Sequence, residues 1–534
     1  MTLKNITYIV WLLFAGCLAS CNNDSPVPEP EPELPPEVVL KAVVAGITVN
    51  ATGFCPLSAQ IRVNTTAGMS IRATVLPKAG AITPAQSHTF PYSTGASQFI
   101  DVLGLYADYT NRLELAFLDA EGVQQGDTLL EIPVAPMDLS VLPRTFRVLT
   151  ADAVRMEPGM NLVIYTPNGD NGMSVPYMVD ADGEIRWLLD WRTSPVLNRT
   201  IINAAFSRMS DGNWITGDRE TGVLQIVSPL GESVRTIDLT QDYKFHHDVM
   251  QMTNGHLLAC MDRQGALRAD GVTSRIRDHI VEIDLEAGTV VRWWDLAAVI
   301  DSARVGRDIL GVVPAGQSAT NWAHNNAIAD WGDDYIASMR YQGIVKFDKQ
   351  GMPYWIIAPH RGWRESYRPY LLTPLHRNGT VITDPAVVEG TACTDDFDWI
   401  WGVHAPVILP DNGTLRRVLC YDNGLARHFI RNNQQIPYSR AVIYEIDETN
   451  MTIRQVWDYG KDMPQYYTAQ KSNAAYLPQT GHVLFAPSEG VTLSDGGTGC
   501  CLIELDPDTN EKIFELEIVD YGFHRVYRLP LYFN

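Results

Sequence analysis

Positive charge is what this chain conspicuously lacks. Its 534 residues carry 41 Lys and Arg against 62 Asp and Glu, a formal charge of -21. Nucleic-acid recognition needs a basic stripe, so that class of partner is excluded and a solvated acidic surface is expected. Long apolar runs are missing as well. The N-terminal run Val10 to Leu18 falls far short of the roughly 20 residues a spanning helix needs. Cysteine is sparse, with eight residues in all. The spacings of Cys55, Cys260, Cys393, Cys420, Cys500 and Cys501 match no metal motif. Helical signals are scarce throughout, which points to an all-β fold.

The N-terminus reads as an export signal. Lys4 precedes the apolar run and Leu18-Ala19-Ser20-Cys21 follows it, the pattern of a secretory h-region. The last four residues resemble a bacterial lipobox, whose cysteine is lipidated and becomes the mature N-terminus. The expectation is a signal peptide over 1–21, a Pro/Glu-rich tether over 22–37, and a body anchored through Cys21 to a bacterial membrane. The outer membrane is expected, with the body in the periplasm or at the cell surface. In an exported protein disulfides are permitted, but sequence leaves their connectivity open. Cys500-Cys501 reads as two buried thiols rather than a strained vicinal bridge.

Two kinds of β-structure follow the tether. Over 38–140, short alternating runs such as Gln60-Ile61-Arg62-Val63-Asn64 and Ser70-Ile71-Arg72-Ala73-Thr74-Val75 are separated by turn residues. Evenly spaced short strands predict a sandwich, and no chemical constellation falls within it. Over 141–534 the chain repeats itself. One half-repeat is a turn and an apolar strand: Asp211-Gly212-Asn213-Trp214-Ile215, Asn254-Gly255-His256-Leu257-Leu258, Thr480-Gly481-His482-Val483-Leu484. The other is a strand ending in Asp, a turn, and a strand carrying an aromatic, as in Ile280-Val281-Glu282-Ile283-Asp284 leading to Trp293-Trp294. Each unit supplies about four antiparallel strands, and the repeats predict a six-bladed β-propeller with a central channel. Longer insertions fall near 262–277 and 361–398.

Fold does not fix function, so the histidines carry the functional reading. His247 in Phe245-His246-His247-Asp248, His324 in Trp322-Ala323-His324-Asn325-Asn326, and His404 in Trp401-Gly402-Val403-His404 each precede an apolar-strand unit. That is the innermost-strand position, so the three should converge on the channel. Arg340 ends the strand begun at Tyr335 and returns toward the same place. Beside His324 and Asn326 it reads as a fork for an anion. Tyr243, Trp322, Tyr341 and Trp401 are aromatic candidates near the channel.

These segments, with Ser338-Met339-Arg340, Asp422-Asn423-Gly424-x-x-Arg427 and Ser439-Arg440-Ala441-Val442-x-Tyr444-x-Ile446-Asp447, resemble the bacterial aryl-sulfate sulfotransferases that do not use a nucleotide sulfate donor. The resemblance runs from about Val38 to the C-terminus. It implies an N-terminal sandwich, a six-bladed propeller, no cofactor, and sulfuryl transfer from a phenolic sulfate ester to a phenol through a sulfohistidine. By that resemblance His404 is the nucleophile, while His247, His324, Asn326 and Arg340 bind the sulfate. The choice between His246 and His247 stays open. Members often carry a disulfide just before the nucleophile, and here only Cys393 lies there.

The residue types suit such chemistry. Sulfuryl transfer, like phosphoryl transfer, rests on positioning and charge stabilisation, and a neutral imidazole can attack sulfur and later be displaced, with ping-pong kinetics. His247 or His324 is placed to assist the departing phenolate. Two rivals stand beside this reading. Three histidines could ligate zinc in a metal-dependent hydrolase, although Arg340 and Asn326 fit that poorly. A non-catalytic ligand-binding propeller leaves the histidine and arginine set unexplained. A sheet edge on the sandwich could support a homodimer.

Overall fold

A computed structural model describes residues 42–65, 68–138, 142–143, 145–166, 175–198, 204–218, 221–306, 310–430, 437–519 and 521–533. The expected signal peptide over 1–21, Cys21 and the expected tether over 22–37 lie outside these residues. No described helix is long and apolar enough to cross a membrane.

The N-terminal strands form two antiparallel sheets. One runs Ala42–Val49, Ser58–Thr65, Ser97–Leu103, and the other runs Gln86–Ser93, Met69–Val75, Tyr109–Leu118, Gln124–Val134. Alternation dictates the packing: Ile71, Ala73 and Val75 are buried while Arg72 between them is exposed. This is the expected sandwich.

Six further sheets follow among the described residues, each with at least four strands. Their innermost strands are, in sheet order, Gly522–Leu529, Ser207–Arg208, Tyr243–Gln251, Asn325–Trp331, His404–Asn412 and Asn473–Leu477. The first sheet is closed by the end of the chain. Gly522–Leu529 pairs with Met160–Thr166, and Phe146–Ala151 in turn becomes the outer strand of the sixth sheet. Both ends of the repeat are thereby tied into paired strands, which protects edges that would otherwise recruit another chain. The sheets bury both faces against their neighbours. Leu258, Cys260 and Ile280 of the third sheet pack with Tyr335, Ala337, Val345 and Phe347 of the fourth in one apolar layer. For that reason the middle strands read as continuous apolar runs rather than alternating ones.

Four innermost strands share an irregularity at the same end. Register shifts fall at Phe245/Val249, Asn325/Ala327, His404/Val407 and Phe523/Val526. Such bulges bend a strand and re-aim its side chains. His247 and His324 sit in left-handed backbone at φ 55° and 56°, and Ala405 follows His404 at φ 47°. Non-glycine residues in that region are held there at a cost of order 1 kcal/mol or more each.

Candidate active site

The bulged ends surround a cavity of about 360 Å³. Of the residues singled out in the sequence, His246, His247, His324, Arg340 and His404 line it. Asn326 does not. It is fully buried, and its Nδ2 donates to the carbonyl of Val403 at 2.8 Å, so it braces the residue before His404. The lining also includes Arg277, Lys471 and His524, which sequence reasoning missed. Of the four aromatic candidates, Tyr341 approaches the site, with its ring 5.5 Å from that of His324 in an edge-on contact. Tyr243 is buried in an apolar cluster with Phe245 and Met261, and Trp322 and Trp401 are buried and donate their indole N–H to Asp278 and Asp398. The lining carries three fixed cations, Arg277, Arg340 and Lys471, against one carboxylate, Asp262. In a chain of charge -21 this is a local reversal of sign, suited to an anion.

His404 is held by its Nδ1 atom. Nδ1 lies 2.6 Å from Asn423 Oδ1 and 3.0 Å from the carbonyl of Gly402. The amide orientation of Asn423 is itself determined, because its Nδ2 donates to the carbonyls of Thr468 at 2.9 Å and Lys471 at 3.2 Å. Two acceptors therefore face Nδ1, which must carry the proton. That leaves the lone pair on Nε2.

His324 has the opposite arrangement. Its Nδ1 faces Arg277 Nη1 at 3.1 Å and Asn321 Nδ2 at 3.0 Å. A guanidinium can only donate, so Nδ1 accepts and the neutral ring bears its proton on Nε2. One imidazole of the cavity thus offers a lone pair and another a donor. His246 and His247 meet through their Nδ1 atoms at 3.1 Å. Both ring nitrogens of His524 are buried without a hydrogen-bond partner, although its ring centre lies 6.4 Å from that of His247.

Burial keeps these rings uncharged. It pushes His404 down to about 3, with the Arg340 guanidinium adding to the effect and the Asn423 and Gly402 oxygens opposing it. Burial likewise drives His247, His324 and His524 well below the ordinary histidine value, helped by neighbouring imidazoles and arginines. His246 is lowered too, chiefly by burial. At neutral pH the cavity presents neutral imidazoles among fixed cations.

Two buried networks hold this geometry. Asp422 accepts from Arg427 Nη2 at 3.0 Å, Arg440 Nε at 2.9 Å and the Trp401 backbone N–H at 2.9 Å. That clamps the turn bearing Asn423 to the segment leading into His404. Gly424 has φ 76°, and a Cβ there would lie 2.2 Å from the Tyr438 carbonyl, so only glycine fits. The second network crosses sheets. Arg525 Nη1 pairs with Asp248 at 3.0 Å and its Nη2 donates to the Asn326 carbonyl at 2.7 Å, while Asp248 accepts the Ile328 N–H at 3.1 Å. With Asn326 bonded to Val403, the innermost strands of the first, third and fourth sheets are linked to the residue before His404.

This arrangement coincides with a known sequence family. The Arylsulfotransferase (ASST) family model matches residues 146–528, and the Arylsulfotransferase Ig-like domain matches residues 46–132. The chain belongs to the arylsulfotransferase family. Arylsulfate sulfotransferase AssT of Escherichia coli O6:H1 is 30% identical over 389 residues, covering 64% of this chain and 62% of that protein. The alignment thus spans a little under two thirds of the Escherichia coli relative's length. The protein of the same name from Lelliottia amnigena is 24% identical over 561 residues, covering 89% of this chain and 90% of that one. Solved structures align loosely. An auxiliary nutrient binding protein from Bacteroides thetaiotaomicron reaches a TM-score of 0.28 at 9% identity, over 90% of this chain and 98% of its own, a likeness that supports no functional argument. Among the described residues the cavity histidines do not form a group whose ligand atoms all lie within 4.8 Å of one another.

Proposed function

We propose that this protein moves a sulfuryl group from a phenolic sulfate ester to a phenol by a ping-pong reaction through a sulfohistidine on His404. The observation that carries the reading is the neutral His404, its Nδ1 tied to two oxygens and its Nε2 lone pair left beside Arg340 and His324. In the first half-reaction Nε2 forms a bond to sulfur as the sulfur–aryl oxygen bond breaks, and the phenolate leaves with that electron pair. The ring becomes a cation whose Nδ1–H is stabilised by Asn423 and Gly402. In the second half a phenol oxygen bonds to sulfur, the N–S bond breaks, and the pair returns to Nε2. The hydroxyl proton lost by the acceptor balances the one taken up by the departed phenolate.

The other groups have distinct parts. Arg340, Arg277 and the Nε2–H of His324 face the equatorial sulfate oxygens, where each such donor is worth about 3 kcal/mol in a site that excludes water. Lys471 adds charge, tempered by its 2.8 Å pair with Glu489. His247 and His524, neutral and buried, suit the aryl oxygen as proton acceptors from the incoming phenol. The name carried by the two relatives, arylsulfate sulfotransferase, agrees with this reading.

The test is 4-nitrophenyl sulfate with and without an added phenol. Acceptor-dependent release of nitrophenol is expected, together with an intact-mass increase of one sulfuryl group that disappears in His404→Ala. Equal release in water alone would point to a sulfatase, and an unmodified His404 during turnover would remove the proposed intermediate. The lipid anchor has a separate test: labelled fatty acid should enter the wild-type chain and not Cys21→Ser.

A further inference from the structure

A second cluster of ionisable side chains lies outside the cavity, between the segment that leads into His404 and the turn that follows Asn423. Ligand atoms of Cys393, Asp398 and His428 all lie within 4.8 Å of one another. His428 Nε2 stands 3.1 Å from Asp398 Oδ1. The other carboxylate oxygen, Oδ2, is engaged by Arg427 Nη1 at 2.7 Å. Oδ1 also accepts the Trp401 indole N–H at 3.3 Å, so Asp398 is oriented from two sides and turns the remaining lone pair of Oδ1 toward the cluster. Its side chain is 4% exposed and that of His428 is 16% exposed, so the group is shielded but reachable.

The backbone that delivers His428 is strained. Ala426, His428 and Phe429 have φ of 52°, 55° and 58°, three left-handed non-glycine residues within four. Each is disfavoured by of order 1 kcal/mol or more, and such strain persists where the surroundings over-determine it, often at a binding site. Sulfuryl transfer at His404 makes no use of these three side chains.

We propose that Cys393, Asp398 and His428 bind a zinc ion. Thiolate, imidazole and carboxylate are all zinc ligands, with bonds of about 2.0–2.3 Å. A tetrahedral ion holds its ligands roughly 3.5 Å apart, so side-chain shifts of about 1 Å close this cluster around one ion. A thiolate in the set favours zinc over magnesium or calcium, which take oxygen ligands. Arg427 holds the carboxylate from outside, as outer-shell partners of metal ligands do. Water takes the fourth position. Binding displaces the thiol proton of Cys393 and the ring proton that His428 shares with Asp398. The ion ties the approach to His404 to the turn beyond Asn423, at a site that sequence spacing of cysteines cannot reveal.

The full chain, stripped with a chelator and dialysed, is titrated with Co²⁺ and then Zn²⁺. One equivalent of Co²⁺ should bind with a thiolate-to-cobalt charge-transfer band, which Zn²⁺ displaces. The other five described cysteines are buried, so the band should vanish in Cys393→Ser. His428→Ala should weaken zinc at least tenfold. Absence of the band in the wild-type chain, or its persistence in Cys393→Ser, overturns the proposal. A readout that needs no variant is alkylation of Cys393: zinc should protect it, and equal alkylation with and without zinc overturns the proposal as well.

Discussion

Replacing Asn423 by alanine separates the role of His404 from that of its surroundings. The substitution deletes the 2.6 Å contact to Nδ1 and leaves the Gly402 carbonyl at 3.0 Å as the sole partner. A sulfated His404 is cationic, so the lost bond is charge-assisted and worth about 1.5–3 kcal/mol. At 1.36 kcal/mol per decade, sulfohistidine formation should slow by about 10- to 150-fold. Ground-state substrate binding does not involve Asn423, so the apparent affinity for 4-nitrophenyl sulfate should change little. The assay is a rapid-quench measurement of the first-turnover nitrophenol burst. Folding needs a parallel check, because the Lys471 carbonyl loses its 3.2 Å donor. The Thr468 carbonyl keeps the Ser439 hydroxyl at 3.1 Å. Asn423→Asp is the informative companion. A carboxylate still accepts from Nδ1, so the burst should survive within about tenfold, but it should also raise the His404 pKa and bring an acid limb toward neutral pH. A folded Asn423→Ala enzyme with an unchanged burst rate would refute the claim that this amide stabilises the sulfated, cationic ring.

Three further outcomes follow from the same geometry. Arg340→Lys keeps the charge but loses the planar fork, and kcat/KM for an aryl sulfate should fall by about 100-fold. Arg525→Ala leaves Asp248 buried without its 3.0 Å partner, and urea unfolding should register a loss of about 3–5 kcal/mol. Stability should also decline in acid. The unfolded histidines take up protons near pH 6.5, whereas folded His404 resists until about pH 3 and His246, His247, His324 and His524 are shifted in the same direction. Between those limits the unfolded state binds more protons, so stability is lost as pH falls from about 6.5 toward 3. Removing one of these groups in His524→Gln should flatten that slope in a denaturation series.

The repeat pattern made the convergence of His247, His324 and His404 legible, because equivalent places in equivalent sheets must lie around one channel. Arg340 was readable for the same reason, one strand further on. Asn326 was not. The register shift at Asn325/Ala327 breaks the simple alternation, and its side chain enters the wall toward Val403 instead of the cavity. His524 escaped notice because its strand is the last of the chain while its sheet partners begin at Met160. Counting that strand as an innermost one would have placed His524 beside the others. Arg277 and Lys471 come from connections between strands, where no periodicity marks a side chain's direction. Asn423 stood in a quoted motif, yet its role depends on carbonyls of Thr468 and Lys471, more than 40 residues away in sequence.

Position in the repeat delivers a histidine to the cavity, but it does not decide what that histidine does. His404 and His324 are both buried, both neutral, and both set at the bulged ends of innermost strands. They differ in what meets Nδ1. Oxygens of Asn423 and Gly402 force the proton onto Nδ1 of His404 and free Nε2 as a nucleophile. Donors from Arg277 and Asn321 reverse this in His324 and make its Nε2–H a hydrogen-bond donor. A carboxylate at the Arg277 position would erase the distinction and also cancel charge that the sulfate needs. The cation in that loop therefore serves twice, once through the field in the cavity and once through the tautomer of its neighbour.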